Sequence, residues 1–342
     1  MKIALVYNAR PVGLDRTDPR LEAGIEGDEW KTIKAIGDTL IALGHKLSYY
    51  LIDDSIYERL KSDKDNLDLL FNLSEGVSGG SDREAHIPMF AEILGIPYTG
   101  PGPLSAALIL NKTRAKEIWK AHGVPTAKSQ LFTTTNDILS SFLHYPLIVK
   151  PNGEGSGMGI KSNSIVKNKA ELKVALKTLL STYRGGALVE EYLDGREFTI
   201  ALVGNGDSLI TLPIIEINFD VFPTGTPRVD TYEAKFVYGA TGLSPMEETE
   251  FCPAKVTPEL ETELNQAAMA AFRTIGCRDF GRVDLRLGTD GKVYVLEINH
   301  PPGLMSDPSE MSFFNIAARE HGWDLKHLLK AILSSATTRL QL

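Results

Sequence analysis

At 342 residues with 43% hydrophobic content, the chain can bury a large core and divide into two or three domains. Its net charge of −8, from 36 Lys and Arg against 44 Asp and Glu, excludes a general nucleic-acid binder, although local basic groups can still serve phosphates. Cys252 and Cys277 show neither metal-type spacing nor a disulfide framework, and no apolar run has membrane-spanning length, so a cytoplasmic protein is expected.

Residues 1 to about 100 read as an α/β unit. The run Lys2-Ile3-Ala4-Leu5-Val6-Tyr7 is too short for a signal core and predicts a buried strand, with an irregular charged loop after it. Trp30, Ile33, Ile36, Leu40 and Leu43 then fall at helical spacing, and Gly44 stops that helix. Strands are expected at 46–52 and 67–73, and a helix near 83–94 ended by Gly95. Strands alternating with helices imply a parallel sheet, whose ligand loops lie at the strand C-termini. Two of those loops, 24–29 and 72–80, are small and acidic. Their glutamates (Glu26, Glu29, Glu75) could address a substrate ammonium group, and ordinary exposed loops would look the same.

Residues 97–103 form a turn-rich connector and a domain boundary. A helix is predicted from about Leu104 to His122, stopped by Gly123-Val124-Pro125. Strands at 145–151 and 160–166 flank a glycine-rich loop. A helix at 168–182 and strands at 187–192, 196–204 and 208–217 follow. Residues 218–249 are polar and aperiodic, which at that length points to a functional lid or to disorder. A helix at about 257–276, a hairpin and two short helices near 310–335 complete the chain. The expected domains are 1–103, 104–186 and 187–342.

The hairpin is the most informative stretch. Asp290-Gly291 between two alternating runs predicts a two-residue loop, so that paired residue numbers sum to 581. Asp284 then lies opposite Glu297, and Arg282 opposite Asn299, all on one face. Val283, Leu285 and Leu287 meet Ile298, Leu296 and Tyr294 on the other. Two opposed carboxylates repel, and a divalent cation removes that objection. Two carboxylates and an amide carbonyl are hard oxygen ligands suited to Mg²⁺. The plain alternative is a solvated face with an Arg282–carboxylate ion pair, which leaves Asn299 and the following Pro301-Pro302-Gly303 unexplained.

Asn152-Gly153-Glu154-Gly155-Ser156-Gly157-Met158-Gly159 carries glycine at every second position, a backbone able to approach a phosphate closely. It lacks the closing Gly-Lys-Ser/Thr of a Walker loop and the third glycine of the dinucleotide fingerprint. With Lys150 just before it, it reads as a flap over phosphates; a mobile hairpin is the alternative. Lys112 is ambiguous alone, and the strand–turn–strand at 188–197 could grip an adenine edge, although by itself it reads sooner as an ordinary tight turn with surface acids.

Taken in order, Gly95-Ile96-Pro97-Tyr98-Thr99-Gly100, Asn111-Lys112-Thr113-Arg114, Val149-Lys150-Pro151, Glu154-Gly155-Ser156, Val189-Glu190-Glu191, Gly195-Arg196-Glu197-Phe198, Tyr232-Glu233-Ala234-Lys235, Gly281-Arg282-Val283-Asp284 and Leu296-Glu297-Ile298-Asn299 resemble the ATP-grasp superfamily. Within it they resemble the D-alanine–D-alanine ligases, along nearly the whole chain. The resemblance implies an α/β architecture of three domains, an N-terminal parallel sheet and two domains gripping ATP. It implies that ATP phosphorylates a carboxylate and an amine attacks the acyl phosphate.

By the same resemblance Lys112, Lys150 and the Ser156 loop hold phosphates. Glu190, Glu191 and Leu193 serve adenine, and Glu197 the ribose. Asp284, Glu297 and Asn299 hold two Mg²⁺, for which Mn²⁺ could substitute. Arg282, Ser156 and Lys235 form the catalytic set, with Lys235 also on the nucleotide. The implied substrate set is Glu26, Glu75, Arg282, Gly303 and Ser309, and the implied partners are small amino acids and a second copy in a homodimer. Phe236 stands where these ligases carry tyrosine, and the family's two N-terminal substrate signatures are absent. A ligase of the same chemistry with another amino acid or amine, or a non-catalytic ATP-binding descendant, are therefore the rival expectations.

Overall fold

The computed structural model describes residues 1–10, 27–77, 79–161, 163–221, 228–229, 250–305 and 312–342. Strand β1 (Lys2–Tyr7) lies between β2 (Lys46–Leu51) and β3 (Leu69–Leu73), all parallel. β1 and β3 are covered on both faces, which is why they read as unbroken apolar runs. Helix α1 (Trp30–Ala42) packs Ile33, Ile36 and Leu40 on one face. On the other, α2 (Ile56–Asp63) and α3 (His86–Leu94) bring Ile56, Leu60, Ile87 and Ala91. Gly95, at φ +71°, ends α3 in the left-handed region. The helix expected from residue 83 opens with a separate 3₁₀ turn, Arg83–Ala85.

The helix expected over 104–122 is two helices, α4 (Pro103–Leu110) and α5 (Lys112–Ala121). They meet at Asn111, which is extended (φ −84°, ψ 90°) and whose side chain accepts from the Arg114 amide. Asparagine competes for backbone partners and caps a new helix better than it continues an old one. The break makes Lys112 the first residue of α5. Trp119 then pins α5 to the C-terminal part of the chain through Nε1–H to the Ala271 carbonyl, 3.1 Å.

The second sheet is antiparallel, in the order β4 (Ser129–Phe132), β7 (Ala187–Glu191), β5 (Leu147–Pro151), β6 (Ile165–Val166), with α6 (Lys169–Thr182) packed on it. β4 was not expected, and the strand foreseen at 160–166 is confined to its last residues. The division foreseen after residue 186 falls inside this sheet, because β7 bonds to both β4 and β5.

The third sheet contains β8 (Glu197–Gly204), β9 (Ile210–Thr211), β10 (Ile215–Ile217), β11 (Glu250–Phe251), β12 (Asp279–Leu287) and β13 (Val293–Asn299). Its order is β11-β10-β8-β12-β13, with β9 also on β8, so the strand foreseen at 208–217 is divided. One face carries α7 (Pro258–Thr274) over Phe198, Ile200, Val283, Leu285 and Val295. The other carries α8 (Phe313–Glu320) and α9 (Leu325–Leu340), and shares one core with Ile3, Leu5 and Phe71 of the first sheet. α9 runs longer than the short helix expected. Among the described residues no helix is long and apolar enough to cross a membrane.

Candidate active site

The β12–β13 hairpin places the opposed carboxylates as the alternation requires. Asp284 pairs with Glu297, Val283 with Ile298, and Arg282 with Asn299. The turn differs from the expectation. Leu287 pairs with Val293, and residues 288–292 form a longer loop closed by Gly288 N–H to the Lys292 carbonyl, 2.9 Å. An irregularity between Asp284 and Leu285 then restores the register. Leu285 and Leu287 therefore face Val295 and Val293, not Leu296 and Tyr294; both valines and Leu285 are buried, and Leu287 is half-buried against them. Leu296 is turned toward the site instead, where it lines a cleft beside Glu297.

Each hairpin carboxylate has a cationic partner. Arg282 grips Asp284 through both oxygens at 3.0 Å, the pairing the plain alternative foresaw. Thr199 donates to Asp284 at 2.5 Å and Asn299 Nδ2 at 2.8 Å. Lys112 Nζ lies 3.2 Å from Glu297 Oε2. Among the described residues no group of three or more His, Cys, Asp or Glu side chains could hold a metal, and the hairpin offers two carboxylates and an amide.

Glu190 is buried between two lysines, Lys150 Nζ at 2.6 Å and Lys116 Nζ at 2.9 Å. Burial alone would raise the Glu190 carboxyl, but Lys116 and Lys150 outweigh it and hold it below the usual range. Burial pulls Lys150 down, and Glu190 with Glu297 more than compensates, so its ammonium is held above the usual lysine range. Lys116, only 3% exposed, is lowered by burial, against the pull of Glu190. Its Nζ also donates to Thr126, 2.8 Å, whose hydroxyl donates to the Val295 carbonyl at 2.7 Å. The second sheet and the metal-candidate hairpin are thus joined beneath the cleft.

The cleft runs between these two sheets. It is lined by Lys150, Glu190, Glu191, Leu193, Glu197, Asp284 and Glu297, seven of the residues that the resemblance assigns to nucleotide and metal. Glu197 is paired with Arg286 at 2.9 Å, and Arg286 lies 5.3 Å from the ring centres of both Tyr192 and Phe219. The glycine-rich loop borders the cleft through Gly157 and Ile160. Ser156 sits at φ +54°, a left-handed conformation that costs a non-glycine residue about 1 kcal/mol or more and gathers at functional sites. The loop base is fixed by Asn152, which accepts from the Thr113 amide and hydroxyl at 2.9 and 2.6 Å. Lys112 Nζ donates to the Glu154 carbonyl at 2.5 Å.

Gly303 follows the hairpin and accepts from the Ser312 hydroxyl at 2.5 Å. Glu75 lies at the C-terminal end of the first sheet, where Asn8 accepts from its amide at 2.8 Å and donates to the Gly76 carbonyl at 2.9 Å. Glu29 faces Arg10 at 4.0 Å and Lys31 at 3.8 Å. Glu26, Lys235, Phe236 and Ser309 lie outside the described residues, as does most of the segment 218–249. Sequence reasoning missed Lys116 and Arg286. Both had a signal: Lys116 is one helical turn beyond Lys112, and Arg286 lies two residues beyond Asp284 on the same strand face.

Residues 118–334 match the protein-family model of the D-ala D-ala ligase C-terminus. The D-alanine–D-alanine ligase of Carboxydothermus hydrogenoformans is 33% identical over 89% of this chain and 91% of its own. That of Halorhodospira halophila is 32% identical over 92% and 94%. An uncharacterized protein of Sinorhizobium fredii, y4sG, is 36% identical over 79% and 75%. Among solved structures, D-alanine–D-alanine ligase from Bacillus anthracis complexed with ATP gives a TM-score of 0.71 at 21% identity, covering 100% of this chain and 99% of that one. VanG D-Ala:D-Ser ligase from Enterococcus faecalis gives 0.70 at 20%, covering 98% and 99%. The structural agreement establishes the ATP-grasp fold. With most of the chain under the family model and relatives above 30% identity along both lengths, this protein belongs to the D-alanine–D-alanine ligase family.

Proposed function

We propose that the chain is an ATP-dependent carboxylate–amine ligase that joins two small amino acids through an acyl phosphate, with D-alanine as both substrates. The observation that carries this reading is one cleft in which Lys150 and Glu190 of the second sheet face Glu197, Asp284 and Glu297 of the third. Phosphoryl transfer needs cations positioned on the β- and γ-phosphates and little else from the protein. Lys150 and Lys112 supply two, and Glu190 orients Lys150 from a buried site. The hard-oxygen set Asp284, Glu297 and Asn299 fits two Mg²⁺ ions, which when bound neutralise charge on the transferring phosphoryl group. Arg282 lies on the same hairpin face, which supports assigning it to the oxyanion formed when the amine attacks. A cytoplasmic site of action follows from that substrate chemistry. A homodimer is the expected assembly, and exposed Trp30, Ile41 and Leu51 near edge strand β2 are consistent with it; sedimentation tests it.

A second reading keeps the chemistry and changes the amino acid or amine. It is favoured by the first-domain loop, where Ser74-Glu75-Gly76 stands in place of the family's substrate signature. The test is phosphate release from Mg-ATP without amino acid, with D-alanine, with L-alanine and with a panel of other amino acids, products being identified by mass. D-alanine-dependent release with dialanine supports the first reading. Release only with other acids supports the second. No release with any, while ATP still binds, refutes both.

A further inference from the structure

The glycine-rich loop is held at its base from the second domain, as described, and also from the first. Arg83, in the loop that follows β3, is only 4% exposed. Its Nη1 donates to the Gly153 and Gly80 carbonyls, both at 3.0 Å, and its Nη2 lies 3.2 Å from Glu154 Oε2. A buried guanidinium is tolerated only when its charge and its donors are met, so this segment is specified to sit here and not elsewhere. The backbone agrees. A Cβ on Gly153 would fall 2.5 Å from Ser81 Cβ, so the two loops touch as closely as glycine permits. Gly76, at φ +107°, folds back on Arg83, with its absent Cβ 2.5 Å from the Arg83 carbonyl.

These contacts form a continuous path. Asn8 fixes the backbone of Glu75 and Gly76, and Gly76 packs on Arg83. Arg83 holds Gly153 and Glu154, and the Glu154 carbonyl accepts from Lys112, which faces Glu297. The two ends are the loop at the mouth of the first sheet and the hairpin of the cleft.

We propose that Arg83 is a positioning residue that latches the first-domain loop to the phosphate loop, so that the amino acid and the nucleotide are held at a fixed separation. This rests on the ligase reading. Attack of a carboxylate oxygen on the γ-phosphorus, with ADP leaving, tolerates little error, and a displacement of about 1 Å can cost about 100-fold. Arg83 is not among the residues that line the cleft, so its loss disturbs alignment and leaves nucleotide affinity nearly intact.

The test compares wild type with Arg83→Met, Arg83→Lys and Glu154→Gln in the full-length protein. In Arg83→Met, kcat should fall about 100-fold while KM for Mg-ATP stays within about threefold. Phosphate released per dipeptide formed should rise, because a misaligned acyl phosphate meets water before the amine. Arg83→Lys should fall between, and Arg83→Met/Glu154→Gln should be non-additive with its single variants. A structural role alone would lower melting temperature and active fraction and leave the phosphate-to-dipeptide ratio unmoved, which would overturn the proposal. So would an Arg83→Met enzyme with wild-type kcat. If wild type forms no product with any amino acid, amide hydrogen exchange decides. Mg-ADP should slow exchange at residues 79–85 in wild type and not in Arg83→Met. Equal slowing in both, or none in wild type, removes the latch independently of the ligase reading.

Discussion

His300 follows Asn299 directly and gives the sharpest stability test. It is 5% exposed, its Nε2 has no hydrogen-bond partner among the described residues, and its ring meets Phe280 edge-on at 4.7 Å. A Cβ on Gly100 would lie 2.5 Å from the ring, so first-domain backbone closes the other side. Burial pushes its pKa from 6.5 down to about 3; Asp279 opposes the shift and Arg278 adds to it. The folded protein thus holds fewer protons here than the unfolded chain between about pH 3 and 6.5. Stability present above pH 6.5 is lost as pH falls, because only the unfolded chain takes up the proton. From pH 7 to pH 5 the loss is about 2 kcal/mol, at about 1.4 kcal/mol per unit.

Other groups also destabilise the fold in acid, so the measurement is a difference. Urea unfolding of wild type and His300→Leu at pH 7, 6 and 5 should show the wild type losing about 2 kcal/mol more across the range. The His300 Cε1–H resonance should keep its neutral shift to below pH 5. Parallel pH slopes, or a His300 midpoint near 6.5, would refute the argument. Because His300 touches the loop that carries Gly100, the same loss of stability should appear as acid inactivation.

Asp284→Asn and Glu297→Gln should each abolish turnover while circular dichroism stays that of the folded protein, since the near-isosteric amides leave the strand pairing in place; near-normal activity in both would sink the metal assignment. Glu190→Gln leaves Lys116 and Lys150 buried without their shared carboxylate, and should cost about 3–5 kcal/mol with weaker ATP binding. An unchanged melting temperature would show that the lysines find water or another acid.

The features legible in the sequence were those fixed by local periodicity. Alternation placed Asp284 opposite Glu297 even though the turn was misread, because the irregularity after Asp284 cancels the longer loop. That irregularity was not legible: Val293 and Val295 share a core with Leu264 and Ala268 of α7, a packing that no pattern within the hairpin reveals. The helix break at Asn111 was legible and overlooked. Its signal is an N-cap residue inside an apolar run, and periodicity alone ran through it. Lys116 could be placed on the Lys112 side of α5, but nothing local says that Glu190 comes from the second sheet to meet it. Arg83 carried no signal, since the Gly153 carbonyl and the Glu154 carboxylate that it holds lie about 70 residues later in the chain.

The ion pairs of the hairpin also bear on how the site responds to metal. Arg282 and Lys112 are held by Asp284 and Glu297, the two carboxylates that would ligate Mg²⁺. A divalent ion on those oxygens competes with both side chains, so its binding would turn the guanidinium and the ammonium toward the phosphates and the reacting carbonyl. On this argument Arg282 is restrained by the metal site and does not build it. Arg282→Gln should then bind Mn²⁺, with ADP present, at least as tightly as wild type while losing turnover, because a competitor for Asp284 is gone. Titration by electron paramagnetic resonance reads this directly. Mn²⁺ binding weakened by about tenfold, about 1.4 kcal/mol, would instead make Arg282 part of the scaffold that shapes the carboxylates, and the exchange argument would fail.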